Sequence, residues 1–500
     1  MNLALISVEL VACAWILVML AADLIVPADR AGGPAARGGE EMPRAAERAA
    51  GRRSSFWLWA LAGVGLCAAM LMGQTQTGTF QDMFLADGFS RYFKGLFLLT
   101  TASVIVMTRE FGGLSGEDRP GAKARAPLGA FYMLLFTALL GMLTLASIND
   151  LLMLFIGLEL LTFSLYVMAA YLKTDAKAVE AGMKYLILGS VSTGFLVYGI
   201  ALLYGFAGST SFPVLRQALE TGPVPLTAQA GMLFVLAGLG FKLAAVPFHM
   251  WVPDVYEGAP TPVVALLSVG SKMAGAVAIL RVLYGPFMPL AGIWAPVLAA
   301  LSAATMLYGN LAAIPQRNIK RLLGYSSIGH AGYLLMGLST GTRAGAEAVG
   351  YYLLAYLFSN LTVFLVVVTA SEAVGGDMLD DYKGLSKRSG GLAAALFIGL
   401  LSLAGVPPLA GFVGKLFVLL AATSAGQLWL VAIGAVNVAI SLYYYLMVVK
   451  RMYLDAPTTA APIRLHPSTA AALLLLILGV FAVGILQEPF LTAIATAFAS

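Results

Sequence analysis

The chain has 500 residues, 60% hydrophobic and 11% charged, with a formal net charge of +5. A soluble domain carries about 25% charged residues, so lipid must be the main solvent here and a string of soluble domains is excluded. The two cysteines, Cys13 and Cys67, lie in apolar runs, and no CxxC, Cys/His cluster or GxGxxG fingerprint is present; this excludes iron–sulfur and structural zinc sites and leaves no visible nucleotide site.

A spanning helix needs about 20 mostly apolar residues. That measure predicts an all-α integral membrane protein with about 14 transmembrane helices. They fall near 3–26, 56–74, 92–108, 128–147, 151–172, 183–206, 230–250, 260–283, 293–314, 319–339, 346–373, 391–423, 428–449 and 468–497. The first run begins at the start Met without a basic n-region, so it reads as a retained helix and not as a cleaved signal peptide. The stretch 27–55, rich in Ala, Gly, Arg and Glu, reads as a solvated linker. Helices 7 and 12 are discontinuous, interrupted by Pro247 and by Pro407-Pro408.

Lys and Arg collect in cytoplasmic loops. One set of alternate loops holds Arg30, Arg37, Arg44, Arg48, Arg52, Arg53, Arg119, Lys123, Arg125 and Arg464, among others; the other set holds only Arg91, Lys94, Arg216 and Arg343. Both termini are therefore expected on the non-cytoplasmic side.

Tyr185-Leu186-Ile187 and Tyr352-Leu353-Leu354 each open an apolar helix. Each is followed by a break, Ala244-Ala245-Val246-Pro247 in one case and Ala404-Gly405-Val406-Pro407 in the other. The repeat unit would be five helices, spans 4–8 and 9–13, and an odd number of spans inverts the second copy. The expected organisation is a three-helix N-terminal segment at 1–127, a first repeat at 128–283, a second inverted repeat at 293–449, and a C-terminal helix at 450–500.

Charges within spans are costly and rare. Here they form a series: Glu159 in mid-span, Lys184 opening the sixth span, Lys242 before the break at Pro247, Lys272 in the centre of its span, and Lys415 after the break at Pro407-Pro408. Loss of water favours the neutral form of either group and an opposite charge restores the ionised one, so a carboxylate and a line of lysines suit proton movement. The plainer alternatives are an interfacial Lys184 and a structural ion pair at Glu159. His249, beside the broken helix, and His330, in a Ser/Gly-rich stretch, are candidate relays. Arg281, near a helix end, is expected to reach the interface.

At these residues the chain resembles the antiporter-like membrane subunits of respiratory NADH:quinone oxidoreductase (complex I), and within them the subunit N family. The similarity runs over nearly the whole chain. It is sharpest in GLELLTFSLYVMAAY around Glu159, EAGMKYLILGS around Lys184, GLGFKLAAVPFHMWVPDVYEGAPTPVVALLSVGSK from Gly238 to Lys272, NIKRLLGYSSIGHAGY from Asn318, and AGVPPLAGFVGKLFVL around Lys415. The L and M relatives usually carry Ala-His where this chain has Val255-Tyr256, and an M-type chain would carry glutamate at Lys415. The resemblance implies a proton-translocating subunit of a bacterial inner membrane. Glu159 and Lys242 would couple the input side, Lys272 would be the central relay, Lys415 would load and release protons at the exit, and Lys184 would sit near the cytoplasmic access. It further implies neighbours, a small three-helix subunit and the M-type subunit. NADH, FMN, iron–sulfur clusters and quinone would be held by partner subunits and none by this chain. The resemblance assigns no function to the stretch 27–55.

Three other functions stay open at this point. One is a cation/proton antiporter subunit, against which the DVYEGAP run and Lys415 weigh. Another is the equivalent subunit of a membrane-bound hydrogenase or a ferredoxin- or F420-linked complex, which the chain alone does not distinguish. The third is a non-conducting scaffold, which would have no reason to keep charges at membrane depth.

Overall fold

The computed structural model describes residues 2–25, 56–115, 127–457, 461–463 and 465–499. The stretch 27–55 lies outside them, as do Arg119, Lys123, Arg125 and Arg464. The described chain is almost wholly helical. Eleven of its helices are long and apolar enough to cross a membrane.

The N-terminal helices are α1 (Ser7–Ile25), α2 (Phe56–Gly73) and α3 (Gly88–Glu110). A two-stranded hairpin, β1 (Gly78–Phe80) paired antiparallel with β2 (Phe84–Ala86), joins α2 to α3. The hairpin was not expected from the sequence. Asp87 caps α3 by accepting from the Ser90 N–H, and the Ser90 hydroxyl answers at the Asp87 N–H, which satisfies end groups that would otherwise be unpaired. Capping there starts α3 four residues before the expected boundary. Arg91 and Lys94, expected in a loop, are therefore inside a helix, and Lys94 is buried.

There follow α4 (Leu128–Ala146), α5 (Leu151–Ala169), α6 (Ala176–Ala207) and the broken helix α7 (Leu226–Leu243) with its continuation α8 (Val252–Gly258). Next come α9 (Thr261–Leu266), a π-helical turn (Leu267–Ser271) and α10 (Lys272–Tyr284), which run as one rod. A π turn inside a helix is frequent at functional sites, and this one ends immediately before Lys272. The rest are α11 (Ala291–Ala313), α12 (Ile319–Ser339), α13 (Arg343–Val374), the broken pair α14 (Gly390–Ala404) and α15 (Ala410–Ser424), α16 (Leu428–Tyr453), α17 (Pro467–Ile485) and α18 (Gln487–Ala499). The last predicted span is thus two helices. Pro489 has no N–H to return to the Ile485 carbonyl, so the helix cannot run through it, and the chain breaks at Leu486.

The two breaks are built alike. At the first, Ala244 takes a left-handed conformation with φ +64°. The N–H groups of Ala244 and Ala245 both return to the Gly240 carbonyl. At the second, Gly405 takes φ +91° and the N–H groups of Gly405 and Val406 return to the Leu401 carbonyl. Both are ends of the Schellman type. The structural match is therefore Ala244 with Gly405, one residue away from the expected alignment of Ala244 with Ala404. Irregular backbone of this kind is tolerated in a membrane protein only inside protein or beside water, and here side chains reach it: Trp251 donates to the Phe241 carbonyl and Lys415 to the Ala404 carbonyl.

The rod α9–α10 is buried along nearly its whole length, with Arg281 and Tyr284 half-buried at its end, and α13 is buried over most of its length. The rod packs on α3, α4, α7 and α13, so Lys272 sits at the centre of the molecule with helices of both halves around it.

Candidate functional site

One end of the site is a charged cluster. Lys184 on α6 donates to Asp254 on α8 at 2.6 Å and lies 2.8 Å from Glu180. Arg321 on α12 binds the other Asp254 oxygen at 2.7 Å and Glu257 at 3.2 Å. Glu180, Lys184, Asp254 and Glu257 border a cavity of about 120 Å³. Asp254 lies between spans. Partial burial pushes its carboxyl up, and the hydrogen bonds and charges of Lys184 and Arg321 outweigh that, so it stays below the usual carboxylate range. Lys184 is still 43% exposed. It is a partly exposed residue held by two carboxylates.

Deeper in, Glu159 on α5 is half-buried and accepts from the Thr193 hydroxyl at 2.7 Å. Lys242, in the last turn of α7, is buried, donates to the Tyr185 hydroxyl at 3.4 Å, and lies 5.6 Å from that ring's centroid. Glu159 and Lys242 make no direct ion pair among the described residues. They line the same small cavity with Thr162, Tyr166, Ser192 and Thr193. Its interior space of about 10 Å³ is the minimum that holds one water.

Lys272 follows. It donates to both the carbonyl and the hydroxyl of Ser327 on α12. The Tyr256 hydroxyl meets the same Ser327 oxygen at 3.0 Å, and the Tyr356 hydroxyl donates to it at 3.2 Å. One turn along α12 is His330. Its Nδ1 bonds the Tyr352 hydroxyl at 2.5 Å, and its Nε2 faces Tyr445 at 3.3 Å. The His330 and Tyr356 rings are 5.0 Å apart.

Lys415, on α15, ends the line. It donates to the Ala404 carbonyl at 2.9 Å, one of the carbonyls beside the break, and stands 5.1 Å from the Tyr333 ring centroid. A second cavity of about 10 Å³ joins Lys415 to His330, Tyr352, Tyr356, Ser359 and Ser402. Among the described residues, neither Lys272 nor Lys415 has a carboxylate within ion-pair distance.

The structure thus sets Lys242, Lys272, His330 and Lys415 on buried polar contacts inside the bundle, with Glu159 half-buried beside Lys242 and Lys184 outside them, partly exposed. His249 lies beside this line. Its ring packs edge-on against Tyr308 at 4.3 Å, and among the described contacts it touches none of the lysines. Arg281, expected to reach the interface, instead makes two 2.7 Å bonds to Asp87 and lies over the Phe89 ring. Sequence reasoning missed Tyr185, Ser327, Tyr352, Tyr356 and Tyr445. The usable signal was periodic: Ser326, Ser327 and His330 share one helix face at spacings of three and four, as do Tyr352 and Tyr356. No group of three or more His, Cys, Asp or Glu side chains gathers as a metal site among the described residues.

Residues 148–441 match the family model described as NADH:quinone oxidoreductase/Mrp antiporter, TM. The chain is 40% identical over 489 residues to NADH-quinone oxidoreductase subunit N of Moorella thermoacetica, covering 98% of this chain and 96% of that one. It is 44% identical over 405 residues to the subunit N of Rhodospirillum rubrum, covering 80% of each. Its structure is similar to a chain of respiratory complex I from Thermus thermophilus with bound aureothin, at TM-score 0.78 and 31% identity, over 98% of this chain and 99% of that one.

Proposed function

We propose that this chain, which belongs to the NADH-quinone oxidoreductase subunit N family, moves protons along the buried line from Glu159 to Lys415. It is a multi-pass membrane protein and a subunit of the proton-translocating quinone oxidoreductase. Quinone reduction takes place in partner subunits, which would hold NADH, FMN, the iron–sulfur clusters and quinone. The proposed neighbours are a small three-helix subunit and the M-type subunit, in a bacterial inner membrane with both termini on the non-cytoplasmic face.

The eleven long apolar helices, with α3, α12 and the broken pair α14–α15 taken as one, support fourteen spans. The like caps at Ala244 and Gly405 support two inverted repeats of five helices. Segments 1–127, 128–283, 293–449 and 450–500 would then be the structural units.

The observation that carries the function is the run of buried lysines on neutral acceptors. A buried charge held by uncharged groups is expensive to keep, and a proton carrier must lose and regain its charge. Lys184 and the Asp254 cluster would supply protons at the cytoplasmic rim. Glu159, through one water, would set the charge on Lys242. Lys272 would pass the proton across the centre, and His330 and Lys415 would take it toward the exit, with His249 a candidate side branch. The experiment is to assay assembled complex in liposomes, comparing donor oxidation with acidification of the lumen for Lys415→Ala and Lys242→Ala. Each variant is expected to lower pumping by at least about tenfold, the effect of removing one positioned proton-transfer group. Unchanged pumping in both would remove the proposal.

A further inference from the structure

The hydroxyl of Ser327 is the meeting point of three side chains. Lys272 and Tyr356 both donate to its oxygen, and Tyr256 stands at 3.0 Å. A serine hydroxyl has two lone pairs and one proton. Lys272 and Tyr356 fill the lone pairs when Lys272 is an ammonium. The one proton left must then go to the Tyr256 hydroxyl. When Lys272 is a neutral amine, it carries a lone pair of its own and can accept. Ser327 can then turn its proton back to Lys272, which frees a lone pair for the Tyr256 hydroxyl to fill. The two protonation states of the lysine thus call for opposite directions in the Ser327–Tyr256 bond.

Tyr256 is not an isolated acceptor. It lies on α8 between Asp254 and Glu257, the two carboxylates bound by Arg321. Its ring is buried and packs on Gly324, where even a methyl group would stand 3.3 Å from it. Gly324 and Ser327 are one turn apart on α12, the helix that also carries Arg321. The hydroxyl and the ion cluster are therefore parts of one rigid contact between α8 and α12.

We infer that Ser327 and Tyr256 form a hydroxyl switch that reports the protonation of Lys272 to the α8 segment bearing the Asp254 cluster. Ser327 is a positioning residue for Lys272, and Tyr256 is its counterpart on α8. No bond other than hydrogen bonds changes; one hydroxyl proton reorients on each oxygen. The inference rests on Lys272 being a proton carrier.

The test uses assembled complex in liposomes with four variants, Ser327→Ala, Ser327→Thr, Tyr256→Phe and the Ser327→Ala/Tyr256→Phe double variant, and Lys272→Ala as the reference. In Ser327→Ala the backbone carbonyl still holds Lys272, and in Tyr256→Phe the ring still packs on Gly324. Each single loss of hydroxyl is expected to lower protons pumped per donor oxidised by about three- to tenfold, one hydrogen bond's worth. The double variant should fall no further than the worse single one, since either change opens the same switch, and Ser327→Thr should restore pumping. If Ser327→Ala fails to assemble, Tyr256→Phe and Ser327→Thr decide the matter. Wild-type pumping in Tyr256→Phe, or multiplying losses in the double variant, would overturn the switch while leaving the lysine line standing. Full pumping in Lys272→Ala would instead remove the reading on which it rests.

Discussion

Buried charges in this molecule are held in two ways, and the difference follows their place in the bundle. Away from the central line, several cations sit on carboxylates. Arg281 grips Asp87 at 2.7 Å, Lys94 meets Glu9 at 2.6 Å, and Lys320 meets Asp377 at 3.0 Å. On the axis, Lys272 and Lys415 rest on carbonyls, hydroxyls and aromatic faces. Lys242 is intermediate, sharing one small cavity with Glu159 without a direct ion pair. A buried pair is a poor place to exchange a proton, because each partner holds the other ionised. A buried lysine on neutral groups can change its charge without breaking a pair. Under the proposed function, the contrast would separate charges that hold helices together from charges that carry protons.

The sharpest way to break that contrast is to swap the expected outcomes. Asp87→Asn should leave Arg281 buried without its counter-charge, and the loss of stability should be about 3–5 kcal/mol. Thermal unfolding in detergent would measure it. Lys272→Met, of similar volume, should be near neutral, because nothing is left unpaired. Equal losses in the two variants would end the distinction.

Acid should find the paired class first. Asp87 lies in the link between β2 and α3. Burial pushes its carboxyl up, and the charge and hydrogen bonds of Arg281, with those of Ser90, outweigh that and hold it below the usual range. A depressed carboxyl contributes stability that is complete above its unfolded pKa, about 3.9, and is lost as pH falls through the lower folded value. The unfolding temperature should therefore hold steady down to about pH 5 and decline below about pH 4, where the unfolded carboxyl takes up its proton. Asp87→Asn should show a shallower acid limb. An unchanged limb would count against the pair.

A smaller effect is expected at the breaks. A Cβ on Gly405 would stand 3.0 Å from the Lys415 side chain, at a backbone φ of +91°. Gly405→Ala should cost about 1–2 kcal/mol through the left-handed backbone alone, and should displace Lys415 as well. Ala244 already bears that strain, so Ala244→Gly should be neutral or slightly stabilising. The smallest effect belongs to the rim. Glu180→Gln removes a carboxylate from an exposed lysine that keeps Asp254, and the change should be under about 0.5 kcal/mol.

Much of this could be read in the sequence, and the rest was lost for identifiable reasons. Glu159, Lys242, Lys272 and Lys415 stood out because a charge in an apolar run has few innocent explanations. The breaks were legible from Pro247 and Pro407-Pro408, but the caps were not, since Ala244 gives no sign that it will take a left-handed conformation. Ser327 and Tyr356 were invisible as partners because hydroxyls are common in membrane helices, and Lys272 meets Ser327 across 55 residues of chain. Lys94 was misplaced because a loop lysine and a buried one paired with Glu9 look the same when the partner is 85 residues away.

The account turns on Lys272 changing its charge. In assembled complex reconstituted into liposomes, protons pumped per donor oxidised should be compared for wild type, Lys272→Ala and Lys272→Arg. Guanidinium stays protonated in proteins, so the arginine variant, though charged, should fail to pump about as badly as the alanine variant, with both complexes assembled. Pumping retained by arginine and lost only with failed assembly in alanine would mean that Lys272 is a structural charge, and would contradict the account.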